Sequence, residues 1–158
     1  MLVKSHLLIG GGSYLAYESV MTGFSELTPI LLIVALLGSI SPDIDHPGSW
    51  IGRRLRVLSL PISSMFGHRG ITHSALMVAA ILFTGWHFNF SSQYLNAFAI
   101  GYVSHLAADF ICKSGIPLAY PLKMRFNSII TIKTGSFAEN VITLFVSIAC
   151  GYIIFVNF

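Results

Sequence analysis

The side chains of this chain that could carry chemistry are few and unevenly placed. The sequence has six histidines and three aspartates, and eight of these nine residues fall in four short stretches. His6 stands in "SHLLIG". Asp43, Asp45 and His46 fall within "SPDIDH". His68 and His73 bracket "HRGITH", and His105 and Asp109 lie in "SHLAAD". Imidazole and carboxylate without thiolate is a donor set suited to Zn, Mn or Fe, and less to Mg because histidine is so abundant. His105 and Asp109 are four apart, so on a helix they project from one face. Asp43 and Asp45 alternate within a Pro-containing turn. Eight donors exceed the three or four that one catalytic zinc takes. They point to two ions, or to one ion with supporting and acid–base residues.

Taken singly, most of these residues have plainer roles. His6 could start a helix at an interface, and "PDID" could end one with favourable turn formers. His68 could be a loop histidine and His73 a helix-start residue. His105 and Asp109 are different. An ionisable group inside an apolar helix costs about 2.5–3.5 kcal/mol at mid-membrane on insertion scales, so it needs a function or a partner. His87, beside Trp86, reads as an interfacial residue of an aromatic belt.

The positioning elements follow from composition. The 158 residues are 54% hydrophobic and 9% charged, with a mean hydropathy of +0.77. A soluble domain carries about 25% charged residues. An all-α membrane protein is therefore expected, one domain over residues 1–158, with about five transmembrane or membrane-embedded helices of up to about 20 residues and two long cytoplasmic loops. The segments run from about Ser5 to Met21, Pro29 to Ile40, His73 to Phe88, Tyr94 to Cys112, and Phe137 to Val156. Thr28-Pro29 supplies an N-cap and first-turn pair, and Pro42 a stop. Ser91-Ser92 could cap the fourth segment, and Ser136-x-x-Glu139 has the capping-box pattern before the fifth. Gly10 to Gly12 would allow close helix packing.

Charge supports this order. Lys4 precedes the first segment. Arg53, Arg54, Arg56 and Arg69 fall in the 41–73 loop, and Lys113, Lys123, Arg125 and Lys133 in the 113–136 loop, which accounts for all nine basic residues. The two alternate loops hold none. The positive-inside rule puts the N-terminus, both long loops and the ligand cluster in the cytoplasm. The net charge of +3 and pI near 9.0 then report topology rather than nucleic-acid binding. Cys112 and Cys150 lack CxxC spacing and read as buried inert thiols. No cleavable signal peptide is expected, because glycines interrupt the apolar stretch after Lys4.

"SPDIDHPGSWIGRRL", "FGHRGITHSAL", "GYVSHLAADFICKSGIPLAYPLKMRF" and the leading "SHLLIG" resemble the bacterial inner-membrane family of membrane-bound metal-dependent hydrolases, of the LexA-regulated YdjM type. The similarity runs from about residue 4 to residue 126, with four separated motifs in order. It implies a multi-pass helical protein of the bacterial inner membrane, with His6, Asp43, Asp45, His46, His68, His73, His105 and Asp109 as metal ligands. A looser analogy in fold and ligands is the zinc-dependent phospholipase C class.

Together these readings point to hydrolysis of a phosphoester or phospholipid headgroup at the inner leaflet, with one or two divalent ions, zinc first and Mn or Fe as alternatives. A divalent ion lowers the pKa of a water toward about 7. Arg69, between His68 and His73, is placed to stabilise charge on phosphoryl oxygens, and one of Asp43, Asp45 or His46 to handle the proton. The expected partners are the lipid bilayer and an anionic, phosphate-containing substrate; the oligomeric state is open. A metal-ion transporter or sensor, or a structural protein stapled by a non-catalytic ion, are the competing readings.

Overall fold

A computed structural model describes residues 1–122 and 124–157. Lys123, counted above among the basic loop residues, lies outside them. The described residues form seven α-helices and no strand. Five are the long elements: α1 (Val3–Met21), α2 (Pro29–Ile40), α5 (Ala75–His87), α6 (Ser92–Phe110) and α7 (Phe137–Asn157). Two short helices, α3 (Trp50–Arg54) and α4 (Arg56–Phe66), occupy the stretch expected to be a long loop. Local capping explains the difference. The Ser49 hydroxyl accepts from the Gly52 amide at 2.9 Å to start α3, and Gly67, at φ 74°, ends α4 in a conformation glycine adopts freely.

Several expected boundaries are reproduced. Pro29 opens α2 with the Thr28 hydroxyl accepting from the Leu31 amide. The third segment starts two residues late, because Ile71–His73 forms a 3-10 turn and Ser74 caps α5. Ser91 precedes α6 without a side-chain cap. Half of the capping box at α7 forms: the Ser136 hydroxyl accepts from the Glu139 amide at 3.4 Å. The Glu139 carboxylate turns elsewhere, accepting from Leu2 N at 2.7 Å, Ser5 Oγ at 2.5 Å and Gly135 N at 2.8 Å. It thereby ties the start of α7 to the start of α1.

α6 packs along α2, both lie against α1, α7 covers another side of α1, and α5 rests on α6. Glycine sets the approach. A Cβ at Gly101 would sit 1.9 Å from the Ala35 carbonyl oxygen, and one at Gly10 would sit 2.3 Å from the Ser39 Cβ. Small residues of this kind let helix backbones meet.

The distribution of polarity is inverted relative to a water-soluble domain. His6, Glu18, Asp45, His73, His105, Asp109 and Glu139 are buried, whereas Ile33, Phe83, Phe145, Ile148 and Phe155 are exposed. Among the described residues, α7 alone is both long and apolar enough to cross a bilayer by itself. Length and hydropathy therefore do not reproduce the expected five. α2 and α5 have 12 and 13 residues, giving about 18–20 Å at 1.5 Å per residue. α1 and α6 have 19 each, but their inward polar and small residues dilute the hydropathy.

Candidate metal centre

The polar cluster forms where the C-terminal ends of α2 and α6 meet the N-terminal ends of α1 and α5. α6 carries His105 and Asp109 one turn apart, both fully buried. The close α2–α6 approach brings the carbonyl of Ser39, near the C-terminus of α2, to 2.7 Å from His105 Nδ1. The last carbonyls of a helix have no partner within it, so this one is free to accept. A carbonyl only accepts; His105 therefore holds its proton on Nδ1 and presents Nε2 as a lone pair.

His73 is oriented in the same way. Its Nδ1 lies 3.1 Å from Asp45 Oδ2, and an ionised carboxylate only accepts. Asp45 is fully buried and accepts further from the Thr72 hydroxyl, the Gly70 amide at 3.3 Å and His68 Nδ1 at 3.3 Å. Burial raises a carboxyl's pKa, but hydrogen bonds from His68, His73 and Thr72 outweigh it and hold Asp45 well below the usual carboxylate range. The Tyr102 hydroxyl donates to the Thr72 carbonyl and anchors the turn that carries His73.

With both Nδ1 protons committed, the Nε2 atoms of His73 and His105 face each other at 3.3 Å. Asp43 Oδ1 lies 3.8 and 3.7 Å from these two nitrogens, and Asp109 Oδ2 lies 3.7 and 3.8 Å from them. Two lone pairs at this distance repel unless a cation sits between them. Tetrahedral bonds of about 2.0–2.1 Å place ligand atoms about 3.3–3.4 Å apart, so the spacing fits a small divalent ion with slight closure of the carboxylates. His6 adds a second sign. Its ring stacks on His105 at 3.7 Å, its Nε2 is 3.5 Å from Asp109 Oδ1, and both ring nitrogens are buried without a hydrogen-bond partner. Orphaned buried nitrogens are costly, and ligation would satisfy one of them.

Among the described residues two three-ligand groups arise, His6–His105–Asp109 and Asp43–His73–His105. They share His105, whose Nδ1 is already taken by Ser39, so both draw on the same Nε2. The set fits one ion better than two.

The structure thus brings together His6, Asp43, His73, His105 and Asp109, with Asp45 behind His73. His68 and His46 stand apart at the exposed mouth, their ring centroids 4.4 Å from each other. Arg69 adopts a left-handed φ of 55°. Its Nη2 is 2.6 Å from Asp109 Oδ2, and its Nη1 donates to the Ser114 hydroxyl and, at 3.4 Å, to the Gly115 carbonyl. The Met1 amine is 2.7 Å from Asp109 Oδ1. His87 lies outside the cluster, packed against Phe83 and Phe88. Cys112 and Cys150 are free thiols. Sequence reasoning missed Thr72, Tyr102, Ser114 and the Ser39 carbonyl. Only Thr72 carried a signal, a hydroxyl beside a ligand histidine.

The family described as "YdjM inner membrane protein" matches residues 1–158. The inner membrane protein YdjM of Escherichia coli (strain K12) and that of Shigella flexneri are each 43% identical over 117 residues, covering 65% of this chain and 59% of theirs. The match to these two relatives thus spans less than two thirds of their length. An uncharacterized protein of Bacillus subtilis (strain 168), YvsG, is 32% identical over 159 residues, covering 100% of this chain and 97% of its own. No solved structure matches the chain. With a whole-length family match and shared inner-membrane relatives, the chain belongs to the YdjM family of bacterial inner membrane proteins.

Proposed function

We propose that this chain is a multi-pass protein of the bacterial inner membrane that hydrolyses a phosphoester, including that of a phospholipid headgroup, at the cytoplasmic leaflet with one divalent ion, most simply zinc. One observation carries the reading: two imidazole Nε2 atoms, their Nδ1 protons committed elsewhere, face each other at 3.3 Å beside two aspartates. The names of the relatives support the inner membrane. The clustering of Lys and Arg on the segments at the site's end supports a cytoplasmic orientation.

His73, His105, Asp43 and Asp109 would hold the ion, with His6 as a further ligand. When bound, it supplies Lewis acidity and a water of lowered pKa. The chain's residues do the rest. Asp45 and the Ser39 carbonyl fix the two imidazoles in the ligating tautomer. Asp45, with donors on both oxygens, positions His73 rather than moving a proton. His46, exposed at the mouth, and the Nε2 of the exposed His68, whose Nδ1 donates to Asp45, are the groups placed to exchange protons with a substrate and water. Arg69 fixes Asp109 and puts a guanidinium beside the site, where it offsets charge on phosphoryl oxygens.

A transport path would need ligands continuing along the bundle. Among the described residues, both three-ligand groups lie at one end. The buried Glu18, farther along α1, already accepts from the Thr22 hydroxyl at 2.6 Å. The test is turnover of a chromogenic phosphodiester by detergent-purified protein, stripped with chelator and reloaded with zinc. Hydrolysis that returns with zinc and is absent from His105→Ala supports the proposal. Bound zinc with no turnover of phosphomonoesters or phosphodiesters would leave only a structural ion.

A further inference from the structure

Beside the metal centre lies a cavity of about 470 Å³, within the range of small-ligand pockets. Met65, Phe66, His68 and Arg69 line one wall, and Leu122 and Arg125 the other. The two walls differ in chemistry from floor to lip. At the floor the half-buried Arg69 reaches the Ser114 hydroxyl and the Gly115 carbonyl, and on the same turn the exposed Arg125 donates from Nη1 to the Ser114 carbonyl at 3.3 Å. Among the described residues no carboxylate lines the cavity; Arg69 keeps its ion pair with Asp109, so Arg125 supplies the positive charge that faces the cavity without an acidic partner. At the lip, Met65 is 73% and Leu122 60% exposed. The loop bearing Leu122 and Arg125 also presents Met124, Ile129 and Ile130.

We infer that this cavity binds one anionic phospholipid of the cytoplasmic leaflet, its phosphate between Arg69 and Arg125 and the first part of an acyl chain against Met65, Phe66 and Leu122. Charge complementarity selects the anion: the Arg125 guanidinium, with only Nη1 donating to the protein, has N–H groups left for phosphate oxygens, and Arg69 adds charge beside it. The exposed apolar lip selects a ligand with a tail, because apolar side chains of this size on a cytoplasmic loop are stable when they meet lipid. The floor connects directly to the metal centre. Arg69 is 2.6 Å from Asp109 and His68 is 3.3 Å from Asp45, so a phosphate held there is presented to the cluster. As a route for substrate, the cavity rests on the hydrolase reading; as a lipid site, it does not.

The experiment uses full-length protein exchanged from detergent into nanodiscs of phosphatidylcholine containing phosphatidylglycerol, with retained lipid measured by native mass spectrometry. Wild type is expected to retain one phosphatidylglycerol per chain. Arg125→Glu and Leu122→Asp, both at exposed positions, are expected to retain at least tenfold less while keeping the wild-type melting temperature. Arg125→Lys should retain an intermediate amount. Excess inorganic phosphate should not displace the lipid. Equal retention by wild type, Arg125→Glu and Leu122→Asp overturns the inference. Displacement by inorganic phosphate also overturns it, making the cavity a free-phosphate site. Retained lipid without turnover would sink the hydrolase reading and leave the lipid site standing. Turnover of a soluble phosphodiester with no Arg125-dependent retention would do the reverse.

Discussion

Asp45→Asn separates the positioning of a ligand from ligation itself. The carboxylate accepts from His73 Nδ1, His68 Nδ1, Gly70 N and the Thr72 hydroxyl. An amide keeps one acceptor oxygen and sets an NH2 donor against at least one N–H or O–H. Each lost bond to a buried charged group costs about 1.5–3 kcal/mol, most of it appearing as lower stability. For the metal, the consequence passes through His73, whose Nδ1 proton is no longer fixed. Loss of such a partner lowers metal affinity about 10–100-fold, or about 1.4–2.8 kcal/mol. Competition for zinc against a chelator of known affinity, on detergent-purified protein, measures this. The expected order is wild type, then Asp45→Asn weaker by one to two decades, then His105→Ala with no specific binding. A folded Asp45→Asn protein that binds zinc as tightly as wild type refutes the positioning role. One that binds none, like His105→Ala, makes Asp45 a direct ligand.

Other consequences are accessible to simpler measurements. Gly101→Ala places a Cβ against the Ala35 carbonyl, which cannot yield as a side chain can; it should destabilise by at least about 1–3 kcal/mol and weaken zinc binding by moving Ser39 away from His105, read together as melting temperature and chelator competition. Glu139→Gln removes the charge that Leu2, Ser5 and Gly135 satisfy, so Tm should fall by several degrees with metal affinity unchanged; an unaltered Tm contradicts the tie between α7 and α1. Asp45 also predicts a pH profile. Its folded-state pKa is lowered, so its stabilisation is complete above the unfolded value of about 3.9 and lost as pH falls through the lower folded value. The Tm difference between wild type and Asp45→Asn should hold constant from pH 7 to 5 and shrink only in stronger acid, whereas a gap closing between pH 7 and 5 contradicts it. His46→Ala, at the exposed mouth, should bind zinc like wild type while losing turnover.

The donors were legible in the sequence because an apolar chain leaves histidine and aspartate nowhere to hide. His105 and Asp109, four apart on an apolar helix, pointed to a site, and the one-sided sorting of basic residues pointed to its end of the bundle. Division of labour was not legible. Asp43 and Asp45 are two residues apart in one turn, yet Asp43 faces His73 Nε2 while Asp45 sits behind its Nδ1; only the backbone path of residues 41–45 and 70–73 decides that. The Ser39 carbonyl has no sequence signature, since any residue there offers the same oxygen. The stretch 46–66 read as loop because Pro61, the cluster of Arg53, Arg54 and Arg56, and serines mask two short helices. Glu139 showed the residue pattern of a local cap, but partners on α1 more than 130 residues away draw its carboxylate off.

The most direct test of the central claim is a metal count by inductively coupled plasma mass spectrometry on zinc-reconstituted, desalted protein. One ion per chain in wild type and none in His105→Ala is the predicted result. Two ions in wild type would contradict the single shared Nε2, and no ion at all would contradict the metal centre itself.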